Sequence, residues 1–226
     1  MPADLTARIW RIAIVALPII IAITLHEAAH GYVARYFGDN TAAEQGRVTL
    51  NPLRHIDPFG TVFLPMLLVL MGTGFVFGYA KPVPVNFANL RHPKRDMVWV
   101  AIAGPAMNLL LAAISVLLIF IPVPGGSALE GPLLQLLWAS VNINLVLAVL
   151  NMIPLPPLDG GRVLTGLLPQ PLSRSVAQID RFGMLPVLVI FIFLPQLGVN
   201  AFQWLVAGPV AWLERPIMAL LGLHNG

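Results

Sequence analysis

Cysteine is absent from all 226 residues, which removes disulfides, thiol nucleophiles and thiolate metal ligands together. A metal, if one binds, must be held by histidine or carboxylate. Charge is nearly as scarce: 10% of the residues are charged and 58% are hydrophobic, whereas a soluble domain carries charge on roughly a quarter of its residues. Five runs are uncharged or almost so, at 12–34, 59–77, 97–121, 132–153 and 184–206. Each approaches the ~20 residues that cross a hydrocarbon core of ~30 Å. The chain therefore reads as an integral membrane protein seated in a lipid bilayer, all-α and polytopic, with about four to five transmembrane helices.

The net charge is only +3, and the 13 basic residues are spread between the apolar runs rather than gathered on one segment. No nucleic-acid partner is expected from such a pattern. Low-complexity tracts and internal repeats are missing too, so a single membrane domain over 1–226 is expected, with its core at about 12–168 and C-terminal helices at 184–226. Arg8 and Arg11 ahead of an apolar stretch imitate a secretory signal. The stretch runs on past any cleavage point, so it is read as a retained first helix.

That first helix ends in "IAITLHEAAHGYVARYFGD", residues 21–39. Ionisable groups inside a span cost roughly 2.5–3.5 kcal/mol each on insertion scales and mark function by default. His26, Glu27 and His30 form H-E-x-x-H. Positions i and i+4 share a helix face, so both imidazoles can bind one cation, with Glu27 about 100° around the helix and clear of the metal. In such a site the metal polarises a scissile carbonyl and acidifies a water, and the carboxylate carries the proton to the leaving amine.

Two histidines under-coordinate a catalytic zinc, which generally takes three protein ligands plus water. His55, His92 and His224 lie in polar or terminal segments and are expected to be solvated. The better candidate is Asp159, in "NMIPLPPLDGG" at 151–161. Pro154, Pro156 and Pro157 remove three backbone donors, so the helix must open there. At membrane depth such a break is tolerated only inside protein or beside a wet cavity. Gly160 and Gly161 let backbone pass close by, and "GRVLTGLL" can resume as a helix. P-L-D-G is equally a good turn sequence, so a ligand role for Asp159 depends on the two clusters meeting.

Charge placement bears on that meeting. The connector 122–131 has no basic residue, whereas 78–96 and 160–183 carry several and 35–58 carries Arg35, Arg47 and Arg54. By the positive-inside rule the basic segments are cytoplasmic, and the N-terminus and the 122–131 connector are outside. Run 59–77 then has both flanks on one side and is expected to be re-entrant, with Gly60, Pro65, Gly72 and Gly74 allowing the turn. The short segments 44–52 and 78–87 are rich in β-formers and are expected as strands at the membrane edge. An edge strand there could take an extended peptide by strand addition. In run 97–121, Asn108 could donate to a developing oxyanion or to the metal's water, or join helices with Gly104 allowing close approach. Asn144 and Asn151 share a helix face and the same two readings.

H-E-A-A-H in a first core helix, G-P-x-x-N in a middle one and N-x-x-P-x-P-P-L-D-G at the end of another together resemble the site-2 protease family of intramembrane zinc metalloproteases, peptidase family M50. "GRVTLNPLRHIDPFGT" and "AKPVPVNF" resemble its compact prokaryotic branch. The resemblance implies one catalytic Zn2+ per chain on His26, His30 and Asp159, Glu27 as general base and Asn108 near the metal. It implies transmembrane protein substrates cut within or close to the bilayer, in a prokaryotic inner membrane. The PDZ and CBS domains that many members carry are not seen in this sequence. Two rival classes are a divalent-metal transporter using the same groups as a transit site, and a catalytically silent scaffold. Oligomeric state and natural substrate are not legible.

Overall fold

The computed structural model describes residues 2–70, 78–122 and 130–222. Its helices are α1 (Pro2–Tyr36), α2 (Thr41–Glu44), α3 (Leu64–Leu70), α4 (Pro93–Ile119), α5 (Glu130–Asn151), α6 (Asp159–Leu167), α7 (Leu172–Ala177), α8 (Leu185–Leu188), α9 (Leu194–Gln196) and α10 (Gly208–Leu220). Three are long and apolar enough to cross a membrane: Ile14–Tyr36 of α1, α4 and α5. A fourth arises if Leu172–Phe182 and Leu185–Gln196, bent by 79°, count as one span. Large apolar side chains such as Leu110, Leu117 and Ile20 face outward. In water that surface would be an aggregation hazard, and in lipid it costs nothing.

Helix α4 is the hub, packed on α1, α5 and α6. The larger core joins Ala112 and Val116 of α4 to Val141 and Leu145 of α5, and closes over Leu64, Leu68, Val187, Phe191, Val206 and Val210. A smaller cluster places Ala34 of α1 on Val100 of α4 and Leu90. Helix α1 stops where Gly38 adopts φ +110. The N–H of Gly38 reaches Arg35 O and that of Asp39 reaches Ala34 O, the paired bonds that terminate a helix with a left-handed glycine.

Three expectations are corrected. The run 184–206 is not one helix. It breaks after Gln196, where Gly198 turns with φ +84, and helical structure resumes at 201. Among the described residues the candidate spans therefore number three, or four with the bent pair counted as one. Segments 44–52 and 78–87 form no strand among the described residues. Residues 78–86 are irregular, and Pro82 and Pro84 cannot donate to a ladder. Their neighbours' N–H groups go instead to separate points: Tyr79 to Gly60 O, Lys81 to His55 O, Val83 to Glu27 and Asn86 to Asp39. We call 78–86 the strap. Finally, His55 is buried rather than solvated, its Nε2 against Thr49 O at 3.0 Å and its backbone carbonyl accepting the Lys81 N–H of the strap. His92 is exposed as expected, and His224 lies outside the described residues.

Of the run 59–77, residues 71–77 lie outside the described residues. A wide helical turn, Pro58–Phe63, capped by Asp57, leads into α3. Together they rise only about 20 Å, short of a crossing. At Tyr79 the chain is back where it left: Tyr79 N–H donates to Gly60 O at 3.0 Å, and the Thr61 hydroxyl donates to Tyr79 O at 3.0 Å.

Candidate metal centre

His26 and His30 lie one turn apart on α1, and both point at α4 and α6. Their Nε2 atoms are 3.0 Å apart, and Asp159 Oδ2 lies 3.2 Å from each. All three residues are buried. The outer nitrogens are engaged: His30 Nδ1 donates to Val100 O at 2.7 Å, and His26 Nδ1 donates to Asn108 Oδ1 at 2.6 Å. Protons on Nδ1 leave lone pairs on both Nε2 atoms. Asp159 Oδ2 has no hydrogen-bond donor. With the imidazoles in these tautomers, three lone pairs converge in a buried place, an arrangement that a bound metal cation satisfies.

The spacing suits zinc. Ligand atoms about 2.0–2.1 Å from a tetrahedral zinc lie about 3.3–3.4 Å from one another, close to the 3.0–3.2 Å observed. His26, His30 and Asp159 are the group able to hold a metal among the described residues.

Glycines bring these groups together. A Cβ on Gly104 would stand 2.4 Å from His30 Nε2 and 2.5 Å from His26 Nε2. Only a bare backbone lets α4 lie this close to the imidazoles, and Asn108 stands one turn later to hold His26. At the other end, a Cβ on Gly160 would meet Met152 O at 2.2 Å, and one on Gly161 would meet Pro156 N at 2.2 Å. The two glycines fold α6 back onto the broken segment, and that reversal aims Asp159 at α1. Arg162 Nη1 stands 3.7 Å from Asp159 Oδ1, on the side away from the histidines, with its guanidinium over the Phe87 ring.

A cavity of about 320 Å³ opens beside the triad, and Glu27, Val83, Asn151 and Arg162 are among its lining residues. Glu27 is half-buried and its Oε2 accepts the Val83 N–H at 2.7 Å. The strap that supplies this donor is itself held by Arg47, whose guanidinium donates to Lys81 O at 2.8 Å and Pro82 O at 3.3 Å. At its far end Asp39 accepts from Asn86 N–H at 2.7 Å, from the Asn89 amide at 3.1 Å, and from the Thr41 hydroxyl and N–H. Burial pushes the Asp39 carboxyl up, but these donors outweigh it and hold it below the ordinary carboxylate range.

Asn108 is fully buried, with both ends of its amide in use: Oδ1 toward His26, Nδ2 toward Asn144 Oδ1 at 2.9 Å and Ala22 O at 3.4 Å. It stands behind His26 rather than facing the cavity. The Val100 carbonyl, the Val83 N–H, Asp39 and Arg47 are contributors that sequence reasoning missed. The first two are backbone groups without any sequence signal. Asp39 and Arg47 are polar residues beside turns and look like ordinary solvated ones.

The chain matches the family model described as peptidase family M50 over residues 14–125 and 121–194. It is 41% identical over 180 residues to YwhC of Bacillus subtilis (strain 168), provisionally named a zinc metalloprotease, covering 78% of each chain. It is 32% identical over 177 residues to Rip2 of Mycobacterium tuberculosis (strain H37Rv), also provisionally named a zinc metalloprotease, over 76% of this chain and 64% of Rip2. A Rip2 from Mycolicibacterium smegmatis is 30% identical over 177 residues. No solved structure matches significantly. The transporter and scaffold alternatives give way to these likenesses. With membrane-length helices and zinc-metalloprotease relatives, the chain belongs to peptidase family M50 and is a zinc metalloprotease of the membrane.

Proposed function

We propose that this protease hydrolyses peptide bonds within or close to the transmembrane segments of membrane-protein substrates, using one zinc per chain on His26, His30 and Asp159. The observation that carries this reading is the position of the triad. It is buried between α1, α4 and α6, and it opens onto a cavity that also receives Glu27. When bound, zinc supplies Lewis acidity toward a scissile carbonyl and lowers the pKa of a water. Glu27 serves as general base and then returns the proton to the leaving amine. The Val83 N–H fixes one carboxylate oxygen and leaves the other for that proton. Asn108 acts as a positioning residue, holding the outer nitrogen of His26.

A helical substrate must unwind before cleavage, since its carbonyls are otherwise spent in the helix ladder. The strap and the broken segment 152–158 border the cavity, with backbone not committed to regular structure, and are where the unwound peptide would lie. The return of Tyr79 to Gly60 supports a re-entrant 59–77. With the basic segments inside, the site faces the cytoplasmic side of a prokaryotic cell membrane. We read the whole chain as one membrane domain.

The test is co-expression with single-pass membrane proteins carrying tags at both ends. Wild type should release a tagged fragment cut inside the apolar segment, and Glu27→Gln should release none while still retaining zinc. Continued cleavage by Glu27→Gln would defeat the assignment of the base. Cuts confined to soluble loops would defeat the intramembrane reading.

A further inference from the structure

A histidine ligates a metal through the nitrogen that lacks a proton, so the proton must be held on the other one. For His30 the choice is made locally: Val100 O can only accept, so Nδ1 carries the proton and Nε2 the lone pair. His26 has no such fixed partner. Its Nδ1 faces the amide of Asn108, which has a donor end and an acceptor end. Turned one way, the amide leaves a lone pair on His26 Nε2. Turned the other, it puts an N–H there, aimed where the cation must sit.

Resting on the zinc-protease reading above, we infer that Asn144 makes this choice and is a positioning residue for His26. The polarity starts at a backbone carbonyl. Ser140 O accepts from Asn144 Nδ2 at 2.9 Å, which turns Asn144 Oδ1 toward α4. There it accepts Asn108 Nδ2 at 2.9 Å, so that Asn108 Oδ1 faces His26 Nδ1 at 2.6 Å. The longer contact of Asn108 Nδ2 to Ala22 O, 3.4 Å, points the same way. Asn108 and Asn144 are 0% and 1% exposed, so bulk water does not compete for these groups. Each bond has one allowed direction because a carbonyl cannot donate. The tautomer of a ligand on α1 is therefore set by a turn of α5, relayed through α4.

The experiment measures zinc affinity by chelator competition on the full chain in detergent, with thermal melts as the check on folding. Asn144→Leu should weaken zinc about tenfold, at the low end of the 10–100-fold effect of outer-sphere partners, because the Ala22 contact remains. Asn108→Leu should cost at least as much, and the double variant no more than Asn108→Leu, since both act through one bond. Asn144→Asp, whose protonated form keeps the same donor and acceptor pattern, should remain within threefold of wild type. Asn142→Leu, which loses the equivalent bond to Trp138 O, should leave zinc affinity unchanged. Wild-type affinity in Asn144→Leu, additive losses in the double variant, or a folded Asn144→Asp weakened tenfold would each overturn the inference. A wild-type chain that takes up no zinc would instead overturn the metal-site reading, and this inference with it.

Discussion

Gly104→Ala adds one methyl group at the most crowded point of the metal centre. Ordinary contact begins near 3.4 Å, while the new carbon would stand 2.4 Å from His30 Nε2. The ring must therefore retreat by about 1 Å, a displacement that costs on the order of 100-fold in rate when it misplaces reacting groups. Rotation cannot supply that distance cheaply. Both outer nitrogens are bonded to α4 itself, through Val100 O and Asn108 Oδ1, so swinging either ring breaks a buried bond. Helix α4 must move off α1 instead, and overpacking of that kind costs about 1–3 kcal/mol. Purified Gly104→Ala should show zinc affinity reduced 10–100-fold by chelator competition, with cleavage of a membrane substrate reduced about 100-fold at saturating zinc. Gly131→Ala is the matched control, because a Cβ there meets nothing within 4 Å. Zinc affinity within twofold of wild type in Gly104→Ala would refute the claim that the bare backbone of α4 makes room for the ligands.

Two further outcomes follow from the strap. Val83→Pro removes the N–H that Glu27 accepts in a segment already tolerant of proline on both sides, and it should lower kcat about tenfold with zinc retention unchanged, the size of a lost charge-assisted hydrogen bond. Equal loss of zinc would show a structural collapse rather than an effect on Glu27. Asp39→Asn turns an acceptor for Asn86 N–H into a donor and should lower the Tm near pH 7. Because the folded carboxyl titrates below the ordinary value, its ionised form stabilises the fold above the unfolded pKa of about 3.9, and that contribution fades as pH falls through the lower folded value. The Tm gap between wild type and Asp39→Asn should therefore shrink in acid, and a gap constant from pH 7 to pH 3 would contradict the assigned role.

The strap is a stretch of chain fixed by hydrogen bonds to scattered partners, Gly60, Thr61, His55, Arg47, Glu27 and Asp39, rather than by a ladder. Such attachment is local, and each bond can open without breaking the next. That property suits a segment bordering a cavity that must admit a peptide, and it explains why β-forming residues at 78–87 do not form a strand. Val83 and Val85 favour extended backbone, but Pro82 and Pro84 deny the donors that a second strand would need.

The sequence by itself determined the membrane class and the identity of the metal-binding residue types. Long uncharged runs have one economical solvent, and histidines at i and i+4 share a helix face whatever surrounds them. Asp159 was legible for a related reason, as the one carboxylate in a proline-broken segment. Tertiary structure decided the rest. Only packing brings His26, His30 and Asp159 to 3.0–3.2 Å, and only packing selects the Val100 carbonyl for His30 and the asparagine chain for His26. Backbone carbonyls and N–H groups are chemically alike at every residue, so no sequence pattern says which one will meet a ligand. Whether an extended segment becomes strand or strap, and whether an asparagine faces a substrate or stands behind a histidine, depends on neighbours that the chain acquires only on folding.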